Sequence, residues 1–226
     1  MRTTEGSAPQ TTICDQFYPC IVRNAACVLG GTKPAALFNF TPRAPQPGAR
    51  QPAAVARDEL DEAIRTMAGA FNARYEGSGL RVDVLFVTTG RALLLVNRPS
   101  EIDALLDDSA VAGYLTSAGY ATGSREQLVA SMRDRVLACE RTHADGGCAN
   151  CPGSCFPHEV GLLLGYPLED VRGFIEHRGR GAHAVGPWKV YGDPAEARRR
   201  WDSMRECRKT IIWNYANGTP FEALIA

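Results

Sequence analysis

Apolar residues recur at three- and four-residue intervals at Leu60, Ile64, Met67, Ala68, Phe71 and Tyr75. That period places them on one face of a helix running from about Asp58 to Tyr75. Asp58, Glu59, Asp61 and Glu62 load its first turn with the negative charge that the helix dipole favours. Gly77-Ser78-Gly79 breaks the helix, and the period then changes. Leu80 to Val87 alternates in part, and the run Ala92 to Val96 is apolar and suited to a strand. With Thr88-Thr89-Gly90 between them, the two stretches predict a hairpin that Pro99 terminates. Short helices are expected around Ile102, Leu105 and Leu106 and around Val111, Tyr114 and Leu115. Ser124 with Gln127 forms a capping box for a longer helix through Leu128, Val129, Met132 and Val136 towards Cys139. Trp188, Val190 and Tyr191 alternate around Lys189 and predict a third strand, closing a small antiparallel sheet with the hairpin. Asp193, Pro194 and Glu196 then open a last helix, whose Trp201, Met204, Arg208, Ile211 and Tyr215 share a face before Gly218 and Pro220 stop it.

The stretch CPGSCFPHEVGLLLGYPLEDVRGFIEHRG, residues 151–179, organises the rest. Pro157 suits the first turn of a helix whose Val160, Leu162, Leu163 and Leu164 make it almost wholly apolar, and therefore buried. Gly165 can take the left-handed conformation that ends it, and Pro167 prevents continuation. A second helix begins with Glu169 and Asp170, presents Val171, Phe174 and Ile175, and ends at Gly179. Two short helices are thus expected to meet at a fixed corner, with His158 and Glu159 at the start of the first.

Elsewhere the pattern is weaker. Residues 1–27 read as an N-terminal segment, mobile in its first part, in which Cys14, Cys20 and Cys27 match no tight metal motif and are expected as buried thiols. Leu29 to Phe40, with Gly30-Gly31 and Pro34, suits a tight turn leading into a short helix that plugs the core. Prolines at 42, 45, 47 and 52 make residues 41–56 a loop of extended character. The expected architecture is α+β, a mostly helical single domain over 28–226 with a small antiparallel sheet, the Pro-rich loop and a Cys-rich loop at 139–155.

Composition narrows the function classes. The 226 residues include 25 Lys and Arg against 25 Asp and Glu. No global field draws in nucleic acid or an anionic membrane. No stretch of eighteen apolar residues occurs, and no apolar leader follows Met1-Arg2, so a cytoplasmic protein is expected. The eight cysteines are then expected as reduced, metal-bound or redox-active thiols rather than disulfides. Cys139, Cys148, Cys151 and Cys155 cluster within one Gly- and Pro-containing segment. Cys148-x2-Cys151 has chelating spacing, and the four thiolates could hold zinc or an iron–sulfur cluster, with His143 or His158 as substitutes. A labile dithiol at Cys148 and Cys151, or inert thiols, are the alternatives. The chain contains no HExxH, GxGxxG, P-loop or nucleophile elbow. Lys189 and Tyr191 share a face of the expected third strand, which would point two polar tips into a pocket with His158, Glu159 and Tyr166.

FPHEVGLLLGYPLEDVRGFIEHRG followed by GPWKVYGDPAEA resembles the signature of the domain of unknown function 3793 family, of anaerobic Firmicutes and Actinobacteria. LGGTKPAALFNF, LFVTTGRALLLVNRPSEIDALL and GYLTSAGY extend the resemblance over Val28 to Tyr215. The family carries no established activity. The Cys-rich insert before Phe156 and the Pro-rich segment after Phe40 depart from its pattern. The functional expectation is a cytosolic protein that handles a metal ion or small ligand, in an accessory role in anaerobic redox or iron metabolism. The alternatives are an enzyme that uses flavin or haem, or acts on a small substrate, through His158, Glu159, Lys189 and Tyr191, and an interaction scaffold.

Overall fold

The computed structural model describes residues 12–44, 53–144 and 156–226. The chain runs α1 (Ile13–Leu29), β1 (Ala35–Phe40), β2 (Arg43–Ala44), β3 (Ala53–Ala54), α2 (Arg57–Tyr75), β4 (Arg81–Thr88), β5 (Arg91–Asn97), α3 (Pro99–Asp107), α4 (Ser109–Ser117) and α5 (Arg125–Ala144). It continues through α6 (Val160–Leu163), α7 (Leu168–Glu176), β6 (Ala184–Val185), β7 (Lys189–Val190) and α8 (Pro194–Ala216). The fold is α+β, predominantly helical, with a three-stranded antiparallel sheet in the order β1-β5-β4.

Strand β5, apolar from Ala92 to Val96, takes the central position because it is covered on both faces. It pairs with β1 from Ala35↔Asn97 to Phe40↔Ala92 and with β4 from Arg81↔Asn97 to Thr88↔Arg91, with an irregularity between Val84 and Phe86. Alternation then divides the core. Val82, Leu94 and Val96 pack with Phe17, Ile21, Ile64 and Phe71 of α1 and α2. Leu85, Leu93 and Leu95 pack on the other face with Ile102, Leu128 and Met132 of α3 and α5. A cluster of edge-to-face rings, Phe17 with Phe40 at 6.0 Å and with Phe71 at 6.1 Å, ties α1 to β1 and α2.

Several expectations are corrected. Leu29 to Phe40 holds no core-plugging helix; Ala35–Phe40 is the third strand of the main sheet. Lys189–Val190 does not join the hairpin and pairs with Ala184–Val185 in a separate ribbon. Pro187 and Gly192 flank this strand too closely for it to extend, whereas β1 meets β5 along its full length. The boundary expected between residues 27 and 28 falls inside α1, whose Phe17, Ile21, Val22 and Ala26 lie in the same core cluster as α2. Cys14 is exposed and Cys20 and Cys27 are half-buried, so the first three thiols are not uniformly interior.

Candidate ligand-binding cleft

The corner between α6 and α7 forms as its glycines dictate. Gly165 has φ +82°, and a Cβ there would also meet Pro34 Cδ at 2.6 Å, so glycine is required on two counts. Tyr166 turns back to donate its N–H to Gly161 O at 2.9 Å. An added Cβ at Gly161 would meet the Tyr166 ring at 2.9 Å. Helix α6 is shorter than expected: Pro157, His158 and Glu159 form a turn before it, in which Val160 N–H reaches Pro157 O at 3.2 Å. Pro167 stands at the start of α7, and Glu169 and Asp170 occupy its first turn.

Asp170 does more than favour a helix start. It is buried, at 3% exposure. Its Oδ2 accepts the Trp188 indole N–H at 2.7 Å, and its Oδ1 accepts the Tyr191 and Gly192 N–H groups at 2.7 and 2.8 Å. One carboxylate therefore clips the β6–β7 ribbon onto α7, with every contact charge-assisted. The clip holds Trp188 against Tyr166, with rings stacked 4.9 Å apart at 23°, and edge-on to Trp201 at 5.4 Å.

Phe156, His158, Tyr166, Phe174, Trp188 and Lys189 line the resulting cleft, of about 270 Å³. The His158 imidazole meets the Phe174 ring at 4.7 Å and 66°. Burial holds its pKa below the ordinary histidine value, an effect that the Glu159 charge partly offsets. Burial thus favours the neutral form of the ring. Lys189 Nζ donates to Gly179 O at 2.6 Å and lies 5.8 Å from the Phe174 ring. On the outer side of Tyr166, Lys33 Nζ lies 5.4 Å from the ring, its pKa pushed down chiefly by burial.

A second cleft, of about 390 Å³, includes Arg135, Cys139, Thr142, Pro157, His158 and Glu159 among its lining residues. His158 is common to both. Glu159 accepts the Tyr120 hydroxyl at 3.1 Å. Burial raises that phenol's pKa most, and the Glu159 charge raises it further. Arg135 lies 4.0 Å from the Tyr120 ring.

Of the residues expected to share a pocket, His158, Tyr166 and Lys189 do. Glu159 is in the second cleft, and Tyr191 lies against α7, stacked on His177 at 5.6 Å and 18°. A Cβ at Gly173 would come within 2.4 Å of Tyr191 Cγ, so this glycine makes the stack possible. Trp188, Phe174 and Asp170 complete the site, and no spacing in the sequence announced Asp170 as a buried acceptor. Cys139 is buried beside the second cleft, whereas Cys148, Cys151 and Cys155 lie outside the described residues. Among the described residues no three His, Cys, Asp or Glu side chains gather closely enough to hold a metal ion. No helix among them is long and apolar enough to cross a membrane.

A family model described as "Protein of unknown function (DUF3793)" matches residues 21–225. No curated protein and no solved structure matches the chain.

Proposed function

We propose that this chain, which belongs to the DUF3793 family, is a small-molecule-binding protein whose ligand is a flat aromatic compound bearing an acidic group. The observation that carries this is the wall made by the stacked Tyr166 and Trp188, facing Phe174 and an imidazole with no hydrogen-bond partner among the described residues. Offset and edge-on contacts to such rings favour a planar guest. The His158 imidazole supplies one polar contact, and Lys189 supplies positive charge for a carboxylate. At about 270 Å³ the cleft is at the small end for ligand sites, which favours one or two rings over haem or flavin.

The test is a thermal-shift and tryptophan-quenching screen of one- and two-ring aromatic carboxylates against their methyl esters. Stabilisation by acids, weakened in Lys189→Met and lost in Trp188→Ala, supports the assignment. Equal responses to acids and esters remove the role of Lys189, and no response to any compound at millimolar concentration removes the proposal.

A thiolate metal centre is the second reading, favoured by one observation. Cys139 is buried at the second cleft. Cys139 and His158 line that cleft together, and a thiolate and an imidazole are ligands that zinc or iron accepts. Stoichiometric zinc or iron in anaerobically purified protein, lost in Cys139→Ser, supports a metal-handling role; metal-free protein ends it.

A further inference from the structure

The strand β4 has β5 on one side and no strand on the other among the described residues. It forms the floor of a trough of about 430 Å³ between α2 and α5. Five consecutive β4 residues, Arg81 to Leu85, line that trough, as an exposed sheet edge requires. At Val82 the edge is already guarded. Asn72 Oδ1 accepts the Val82 N–H at 2.7 Å and Asn72 Nδ2 donates to Val82 O at 2.9 Å, as a neighbouring strand would. Because outward and inward backbone groups alternate along a strand, Val84 turns its N–H and C=O the same way, and among the described residues no side chain guards its edge as Asn72 guards Val82.

The walls are low: Ala68 and Gly69 on α2, Val129 and Ala130 on α5. A Cβ on Gly69 would meet nothing within 4 Å. Arg65, Arg81, Arg125 and Arg133 also line the trough, with Asp83 and Glu126 the acids among its lining residues. Each arginine is paired with a carboxylate of its own chain; Arg125, 26% exposed, is held by both Asp103 and Glu126, whereas Arg65, at 58%, and Arg133, at 45%, are in largely exposed pairs. Such pairs are weak and easily exchanged.

We infer that the β4 edge, recessed between α2 and α5, is a docking groove for an extended acidic peptide segment of a partner, added as a fourth strand. A second copy of the chain is a poor occupant. Its own β4 is recessed between the same two helices, which would collide before the edges met. An isolated extended segment needs only about 4.8 Å of lateral room beside β4, takes the main-chain bonds at Val84, and sends carboxylates to the arginines.

The test uses a fluorescent short peptide of alternating valine and glutamate. Its controls are the valine–lysine equivalent and a version N-methylated on the backbone of every second residue. Saturable binding that weakens with salt, is absent for the lysine peptide and falls about tenfold or more on N-methylation is expected. Gly69→Leu, which fills the trough from a helix position with open space around it, should abolish binding while the far-ultraviolet circular dichroism stays unchanged. Slowed hydrogen exchange at Val84 on binding marks the strand addition. Absence of binding, binding unaffected by Gly69→Leu, or equal binding of the N-methylated peptide each overturns the inference, the last by reducing it to surface charge.

Discussion

Replacing Asp170 tests how the ribbon and α7 are held together. In Asp170→Ala the indole N–H of Trp188, a residue only 7% exposed, loses its acceptor in a place water reaches poorly. An orphaned buried donor costs about 1–3 kcal/mol. The Tyr191 and Gly192 N–H groups lose a charged acceptor but sit in half-buried residues, where water can replace it at roughly 1 kcal/mol each. The sum is about 3–5 kcal/mol. Asp170→Asn keeps one carbonyl for the two backbone groups but turns its own N–H₂ towards the indole, so about 2 kcal/mol is expected. Equilibrium urea unfolding followed by tryptophan fluorescence gives both values. Hydrogen exchange adds location, with protection lost first over residues 184–192. An alanine variant within about 1 kcal/mol of the parent would refute the view that this carboxylate, rather than ring stacking, fixes Trp188.

Three further outcomes are expected. Gly173→Ala drives a methyl into the Tyr191 ring and should cost about 1–3 kcal/mol, read as a fall of several degrees in Tm together with loss of the Tyr191–His177 stack in aromatic NMR contacts. His158 has a folded-state pKa below its unfolded value of about 6.5. The unfolded chain therefore binds the proton more readily, and stability present above about pH 6.5 is lost as pH falls towards the folded pKa. His158→Gln should flatten that part of the stability–pH curve, and an unchanged slope would count against burial of the imidazole. Gly30→Ala places a Cβ 2.4 Å from Cys207 Sγ between α1 and α8. It should destabilise by about 1–3 kcal/mol, with Cys207→Ala relieving most of the loss in a double-mutant cycle; strict additivity would contradict the contact.

What could be read from the sequence was local. The stripe of α2, the hairpin around Gly90, the Asp193 cap of α8 and the left-handed stop at Gly165 each follow from a few neighbouring residues, and each is in place. Helix α1 was hidden by Pro19 inside it, although the Thr12–Asp15 capping box was present to be noticed. Strand β1 was hidden because Ala35 and Ala36 have little strand preference of their own; pairing with β5 makes the strand. The site divides the same way. His158, Tyr166 and Lys189 converge because the corner and the ribbon bring them there. Tyr191 was drawn inwards by assuming that β7 belonged to the main sheet, and the three hydrogen bonds of Asp170 span 18 to 22 residues, beyond any local pattern.

The imidazole shared by the two clefts has one proton to give and one lone pair to offer while it is neutral. A guest that takes the proton on one side leaves an acceptor for the other, and a guest that donates leaves a donor. Occupants that reach the two ring nitrogens from the two clefts therefore cannot be chosen independently. Filling one selects the tautomer, and with it the polarity of what the neighbouring chamber can hold.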